Sequence, residues 1–271
     1  MSARRLKFTL LGTGSSGGVP RVGGDWGACD PTEPKNRRLR CSALVEAWTI
    51  EQPDKQTTIL IDTSPDLREQ LLQANVKKLD AVVFTHDHAD QTHGIDDVRA
   101  LAIRNRAQIT TYMDDPTSET LVPKFRYAFE GQGGYPAIYD LQPKIAPYQV
   151  FSVSGAAGAI EFMPLDQEHG YIRSLGFRIG DMAYCNDLNA LPDETMARLQ
   201  NLDLLVIDAL RYTPHPSHAH LDQTLEWIAQ LRPKRAVLTN LHVDLDYATL
   251  VKDLPAGVEP AYDGWDYETA Y

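Results

Sequence analysis

The stretch Phe84–Gly94, FTHDHADQTHG, places three histidines and two aspartates within eight positions directly behind an apolar run. His86 and His88 stand two apart, so on an extended backbone leaving a strand both imidazoles project from one side and reach a single ion. Asp90, four residues beyond His86, faces a second ion beside the first if the chain then turns into the helix that begins near Gly94. His169 in DQEHGYIRSLGF lies in a polar turn between strands and offers a third imidazole. Asp187 in AYCNDLNALP follows a strand end, where a carboxylate can bridge two cations. Each of the last two, taken alone, also reads as a turn residue.

These groups need a rigid base, and the chain supplies short apolar runs with the Val, Ile, Phe and Tyr content of strands. They fall at 6–11, 41–48, 57–62, 79–85, 148–153, 159–165, 174–180, 181–185, 202–209 and 235–240. Helical patterns cover 64–75, 94–105, 117–129, 191–200 and 220–231, with Ser64–Pro65 and Pro192 as start signals. Early strands have few helices between them and later ones alternate with helices, which predicts two packed sheets with helices outside, a four-layer αββα sandwich of α/β class forming one domain over 1–271. Residues 131–147, rich in glycine and proline, read as a long loop. GTGSSG at Gly12–Gly17 matches a dinucleotide-binding fingerprint, but two prolines and four more glycines follow before any helix can receive a pyrophosphate.

Bulk properties narrow the classes. The chain has 271 residues, 43% hydrophobic, and a net charge of -11, which argues against standing nucleic-acid binding. Cys29, Cys41 and Cys185 are far apart and form no CxxC pair, as expected in a reducing compartment. With no 18-residue apolar run and too few apolar residues at the start for a secretion signal, the expectation is a soluble cytoplasmic protein without a membrane partner. KNRRLR, with Arg37, Arg38 and Arg40, offers cations to a phosphate or simply forms a solvated basic loop.

The order HxHxD (86–90), His169, Asp187 and a late histidine behind a strand resembles the metallo-β-lactamase superfamily, and more closely its branch containing ribonuclease Z and the phosphodiesterase of the carbon–phosphorus lyase pathway. LLGTGSSGGVPR, CSALVE, ILIDTSPDLR, AYCNDLN, VIDALRY and VLTNLHVDLDY carry the likeness across residues 10 to 247. The resemblance implies the αββα fold and hydrolysis of phosphodiester-type substrates with one or two divalent ions per chain, manganese or zinc. It assigns His86, His88 and His169 to the first ion, Asp187 as the bridge, and Asp62 as a support behind the ligands. Asp208 and His218 match a carboxylate–histidine pair suited to a general acid, with His215 and His220 as rivals.

The pattern also departs from that family. Where HxHxDH is usual, Gln91 replaces the last histidine, and Asn240 in LTNLH replaces the histidine after the final strand. A carboxamide oxygen is a weaker, harder ligand that suits manganese or magnesium better than zinc. His93 and His242, each two residues further on, are the compensating candidates. Only Cys29 remains of the early cysteine-rich zinc site of related enzymes, so that site is expected to be absent. The expected catalytic residues are thus Asp208, His218 and Asp90; the expected ligands are His86, His88, Asp90, His169, Asp187 and His242. Arg173, His215, His220 and Gln91 are expected to touch substrate, and Asp62, His93 and Asn240 to support the ligands. The expected substrate is a small cyclic or nucleotide-like phosphodiester, with a homodimer allowed; tRNA 3′-end processing and non-catalytic nucleotide or metal sensing are the alternatives.

Overall fold

The computed structural model describes residues 4–271. The strands in chain order are β1 (Arg4–Gly12), β2 (Ser42–Thr49), β3 (Gln52–Ile61), β4 (Ala81–Val83), β5 (Ile109–Tyr112), β6 (Tyr139–Leu141), β7 (Phe151–Val153), β8 (Ile160–His169), β9 (Ile172–Ile179), β10 (Met182–Cys185), β11 (Leu204–Asp208), β12 (Arg235–Thr239), β13 (Val258–Pro260) and β14 (Asp266–Ala270). The α-helices are α1 (Leu67–Gln73), α2 (Ala89–Thr92), α3 (Arg99–Asn105), α4 (Asp115–Lys124), α5 (Arg126–Glu130), α6 (Asp193–Arg198), α7 (Leu221–Leu231) and α8 (Tyr247–Asp253). Two compact units result: one comprises the chain through Leu11, Ser42–Glu161 and Asp266–Tyr271, the other Gly12–Cys41 and Phe162–Trp265.

In the first unit the sheet runs β14-β1-β2-β3-β4-β5-β6, with β3 to β6 parallel. Ile61, Val83 and Tyr112 are level at the carboxyl ends of β3, β4 and β5, so whatever follows those residues emerges along one edge. Beneath lies a core of Leu44, Leu60, Val82, Phe84 and Ile109 with Leu67 and Leu71 of α1. Gly94 makes the chain reversal after α2 possible, because a Cβ there would lie 2.0 Å from the Ser64 carbonyl oxygen.

In the second unit the strands lie in the order β13-β12-β11-β10-β9-β8, parallel from β10 to β13 and antiparallel across β8, β9 and β10. Helix α7 buries Leu221, Thr224, Ile228 and Leu231, one stripe at helical spacing, into a core with Leu205, Ile207 and Leu238. The glycine loop continues without a helix: Gly14 bridges to both Arg40 and Leu241, and a Cβ on it would stand 2.9 Å from that of Arg38. Arg38 is not a solvated basic residue. It is 1% exposed and donates to the Leu245 carbonyl (2.8 Å) and Asn36 Oδ1 (3.2 Å), and burial pulls its pKa down.

Elsewhere the structure refines the sequence expectations. Residues 131–147 contain β6, and the pattern at 117–129 divides at Phe125 into α4 and α5, α4 being capped by Asp114, which accepts from Thr117 N. Strands β13 and β14 and helix α8 carry too little apolar periodicity to stand out. Behind β13, half-buried Asp263 accepts from Thr13 Oγ1 (2.8 Å) and Leu39 N (2.7 Å). Burial is the larger influence and pushes its pKa from 3.8 up to about 7. A raised carboxyl pKa stabilises the fold fully below the unfolded value and loses that contribution as pH rises through the folded value. Relative to Asp263→Asn, the natural protein should therefore lose stability between about pH 4 and pH 7, by up to about 4 kcal/mol at 1.36 kcal/mol per unit. Urea unfolding across that range checks this; parallel curves for the two proteins would refute it.

Candidate metal centre and acid–base pair

Chemistry-bearing residues of the first unit follow the carboxyl ends of its parallel strands. Asp62, directly behind β3, is fully buried, and its two oxygens accept from Thr85 N and Thr85 Oγ1, both at 2.8 Å. Thr85 Oγ1 in turn lies 2.9 Å from His86 Nδ1. With its own proton given to Asp62, the hydroxyl accepts from Nδ1–H, which leaves the His86 Nε2 lone pair for a cation. Burial pushes the Asp62 pKa up to about 8, against the two Thr85 hydrogen bonds and with help from the Asp90 charge. The His88 ring packs edge-on to His86 at 4.7 Å between centroids, and His88 caps α2, which carries Asp90 and the buried Gln91. Gln91 Nε2 is 3.5 Å from Asp90 Oδ2. His93 turns away: it is exposed and meets the edge of Phe125.

The second unit aligns three more residues by the same rule. Parallel register brings Cys185 level with Ile207, and Asp208 level with Thr239. Asp187, Asp208 and Asn240 therefore emerge together at the carboxyl ends of β10, β11 and β12. Asp187 and Asn240 hold left-handed backbones, φ 53° and 62°, as does Asp62 at 61°. Asp and Asn tolerate this conformation at a cost, and such costs concentrate at functional sites. Asn240 Nδ2 donates to Asp187 Oδ1 (2.7 Å), and Ser174 Oγ donates to the Asp187 carbonyl (2.7 Å). His169 Nδ1 donates to the Ser217 carbonyl at 2.7 Å, which fixes the tautomer with its proton on Nδ1.

His218 Nδ1 donates to Asp208 Oδ2 at 2.8 Å and lies 3.5 Å from Asp187 Oδ1. Asp208 Oδ2 also accepts from Leu188 N. One potential ligand atom each from His169, Asp187 and His218 falls within 4.8 Å of the others. The set of two imidazoles and a carboxylate, with a further buried carboxylate oxygen, Asp208 Oδ1, that makes no hydrogen bond, suits a divalent cation. The sequence pairs His218 with Asp208 as an acid; here the same ring also stands beside Asp187, expected as a ligand.

A row of two arginines and two imidazoles extends from this cluster. The His218 ring lies 4.7 Å from His169 and 5.2 Å from His215. His215 and His242 both have lowered pKa values, chiefly from burial, with Arg211 among the charges that lower each. Arg21 Nη2 meets His242 Nε2, while Asp244 lies 3.1 Å from Nδ1. His242, expected as a compensating ligand, is thus held between Arg21 and Asp244. Arg211 is anchored by the Thr213 and Pro214 carbonyls at 3.0 and 2.7 Å. Sequence reading missed Arg21 and Arg211; the one signal was an arginine three residues behind Asp208. Arg173, expected at substrate, spends its guanidinium on Asp166 and Glu168. His220 is the N-terminal cap residue of α7 but makes no side-chain capping bond.

A model of the β-lactamase superfamily domain matches residues 57–240, and the chain belongs to that family. A crystal structure of a new diphosphatase from the PhnP family is similar at 34% identity and TM-score 0.86, covering 98% of both chains. Zinc-bound PqqB from Methylobacterium extorquens, at 18% identity and TM-score 0.70 over 96% of this chain and 99% of that one, shares the fold. An octanoyltransferase from Porphyromonas gingivalis is 32% identical over 267 residues, 96% of this chain and 51% of that protein; the chain spans about half the length of that curated relative. The αββα class expected from the sequence is the fold of this family. Among the described residues no helix is long and apolar enough to cross a membrane.

Proposed function

We propose that the chain is a phosphodiesterase acting on small cyclic or nucleotide-like phosphodiesters, in which His86 and His88, and His169 with Asp187, would serve as ligands of divalent cations. Manganese is favoured at the second position, because Gln91 and Asn240 stand where imidazoles would otherwise serve it. Bound cations acidify water and neutralise charge that develops on phosphoryl oxygens. The protein does the rest: the Asp62–Thr85 pair fixes the His86 ring, the Ser217 carbonyl fixes His169, and His218, oriented by Asp208, protonates the departing oxygen.

The observation that carries this reading is the Asp208–His218 pair beside Asp187, with the Arg21, Arg211, His215 and His242 row leading away from it. The two guanidinium groups of that row suit an anion and its imidazoles can hydrogen-bond one, and a similar structure is described as a diphosphatase. A cysteine route to the acyl transfer named for the Porphyromonas relative is disfavoured here: all three cysteines are buried, and the Cys185 thiol is pushed up to about 12 by burial, far from a reactive thiolate.

Purified protein with manganese should hydrolyse bis(p-nitrophenyl) phosphate or 2′,3′-cyclic nucleotides; no turnover of any of these would sink the reading. Cleavage of precursor tRNA in place of them would point to the processing enzymes. Arg211→Met should raise KM for nucleotide substrates by about tenfold or more, the effect of one lost charge-assisted hydrogen bond, with a smaller change in kcat.

A further inference from the structure

A cavity of about 800 Å³ opens in the first unit, at the other end of the parallel strands from the histidines. His86 follows the carboxyl end of β4, whereas Ala107 and Gln108 precede β5 and Ala137 and Ile138 precede β6. The cavity contains none of the residues assigned to catalysis. Ala102 and Ile103 from α3, with Ala107, Pro136, Ala137 and Ile138, give it aliphatic walls, and Arg99, Arg106, Gln108, Tyr127, Gln132 and Tyr135 line the rest. Ile103 and Tyr135 are 58% and 67% exposed, so apolar surface here is left facing water.

The lip is fixed. Gln132 and Tyr135 exchange backbone hydrogen bonds of 3.1 and 3.0 Å across Gly133 and Gly134, both at positive φ, the conformation of a tight two-residue turn. At the edge of the cavity stand two arginines with different commitments. Arg99 is paired with Asp96 and lies over the Tyr127 ring. Arg106 ends α3 at φ 51°, where glycine or asparagine is usual, and pairs with no carboxylate among the described residues. Its charge is therefore available to a ligand.

We propose that this cavity binds an amphiphile with an aliphatic chain and one carboxylate, the chain along the Ala102–Ile103 and Pro136–Ile138 walls and the carboxylate on Arg106. A sugar or nucleoside would bury hydroxyls against walls with few polar partners, and that is costly. Gln108 is already used, its Nε2 donating to the Tyr139 carbonyl at 3.3 Å. An alkyl chain needs no such partners, and the lone guanidinium supplies the head-group contact. This site is independent of the phosphodiesterase reading, and its test uses binding alone.

Calorimetric titration of the full chain with hexanoate, octanoate and decanoate, each below its micelle concentration, should show affinity rising about fourfold per methylene. The alcohols of equal length should bind at least tenfold more weakly. Arg106→Met should erase the difference between acid and alcohol, and Ile103→Glu should abolish both. Leu72→Glu, at an exposed leucine on α1, should match the natural protein and so exclude non-specific surface binding. Equal affinity for acid and alcohol, equal loss in Leu72→Glu, no binding of any probe, or a self-associated protein whose Ile103→Glu variant is monomeric would each overturn the assignment.

Discussion

Replacing His218 by alanine is expected to lower kcat by roughly 10²–10⁴, the range for a positioned general acid or base, and to do so unevenly across substrates. The ring is oriented through Nδ1 by a fully buried carboxylate, so its Nε2 is the nitrogen left to meet a substrate oxygen. A nitrophenolate departs without a proton, whereas an alkoxide from a nucleotide sugar does not. The deficit should therefore be small for bis(p-nitrophenyl) phosphate and large for a 2′,3′-cyclic nucleotide, and the basic limb of the pH–rate profile should vanish in the variant. An equal loss on both substrates would mean that His218 serves mainly as a ligand, which its 3.5 Å approach to Asp187 makes the natural rival. Asp208→Asn offers the second half of the test. An asparagine that turns its N–H to Nδ1 favours the other tautomer and gives up the Leu188 amide bond, which shares Oδ2, so kcat should fall while the Thr224 hydroxyl still holds the backbone carbonyl at this position.

The strands that aim these groups were legible because they are short, apolar and followed at once by a polar residue. VVFTH, YCND and VIDA each announce a carboxyl end with a functional side chain behind it. Other features depend on tertiary packing. Arg38 lies in a run of four basic residues within six positions and looks solvated, yet the Asn36 side chain and the Leu245 carbonyl receive it inside the second unit. Strand β6 lies in a glycine- and proline-rich stretch and exists because β5 offers it an edge; nothing local requires it. Strand β14 alternates exposed and half-buried residues and gains its conformation from pairing with β1. The arginine–imidazole row fails to show for a similar reason: Arg21, Arg211 and His242 come from three loops, which tertiary bonds such as His242 N to Leu210 O and the Arg21–His242 contact bring together. His242 also shows the limit of spacing arguments. Two residues beyond Asn240 suggests the same side of a strand, but β12 ends at Thr239, Asn240 turns to a left-handed conformation, and the alternation stops there.

Asp187→Asn should abolish binding of the second cation and lower kcat by roughly 10³-fold, since several kcal/mol of charge stabilisation disappear at 1.36 kcal/mol per factor of ten. Asparagine is the informative substitution because position 187 is left-handed, a conformation that asparagine tolerates and alanine resists. Folding is thereby preserved while the negative charge is removed. Metal content per chain, counted with and without added phosphate, separates this from a general loss of structure: one ion should remain if the histidine ligands bind it without Asp187. Retention of both ions with unchanged kcat would show that Asp187 is a structural turn residue. Asn240→His supplies the converse. Histidine also accepts the left-handed backbone more readily than most residues, and at a position whose side chain already reaches within 2.7 Å of Asp187 Oδ1 it would add an imidazole beside the shared carboxylate. The second cation should then bind more tightly and zinc should gain on manganese. If Asn240→His instead weakens metal binding, the asparagine is there to hold Asp187 by donating to it, and a strong second site was never the native arrangement.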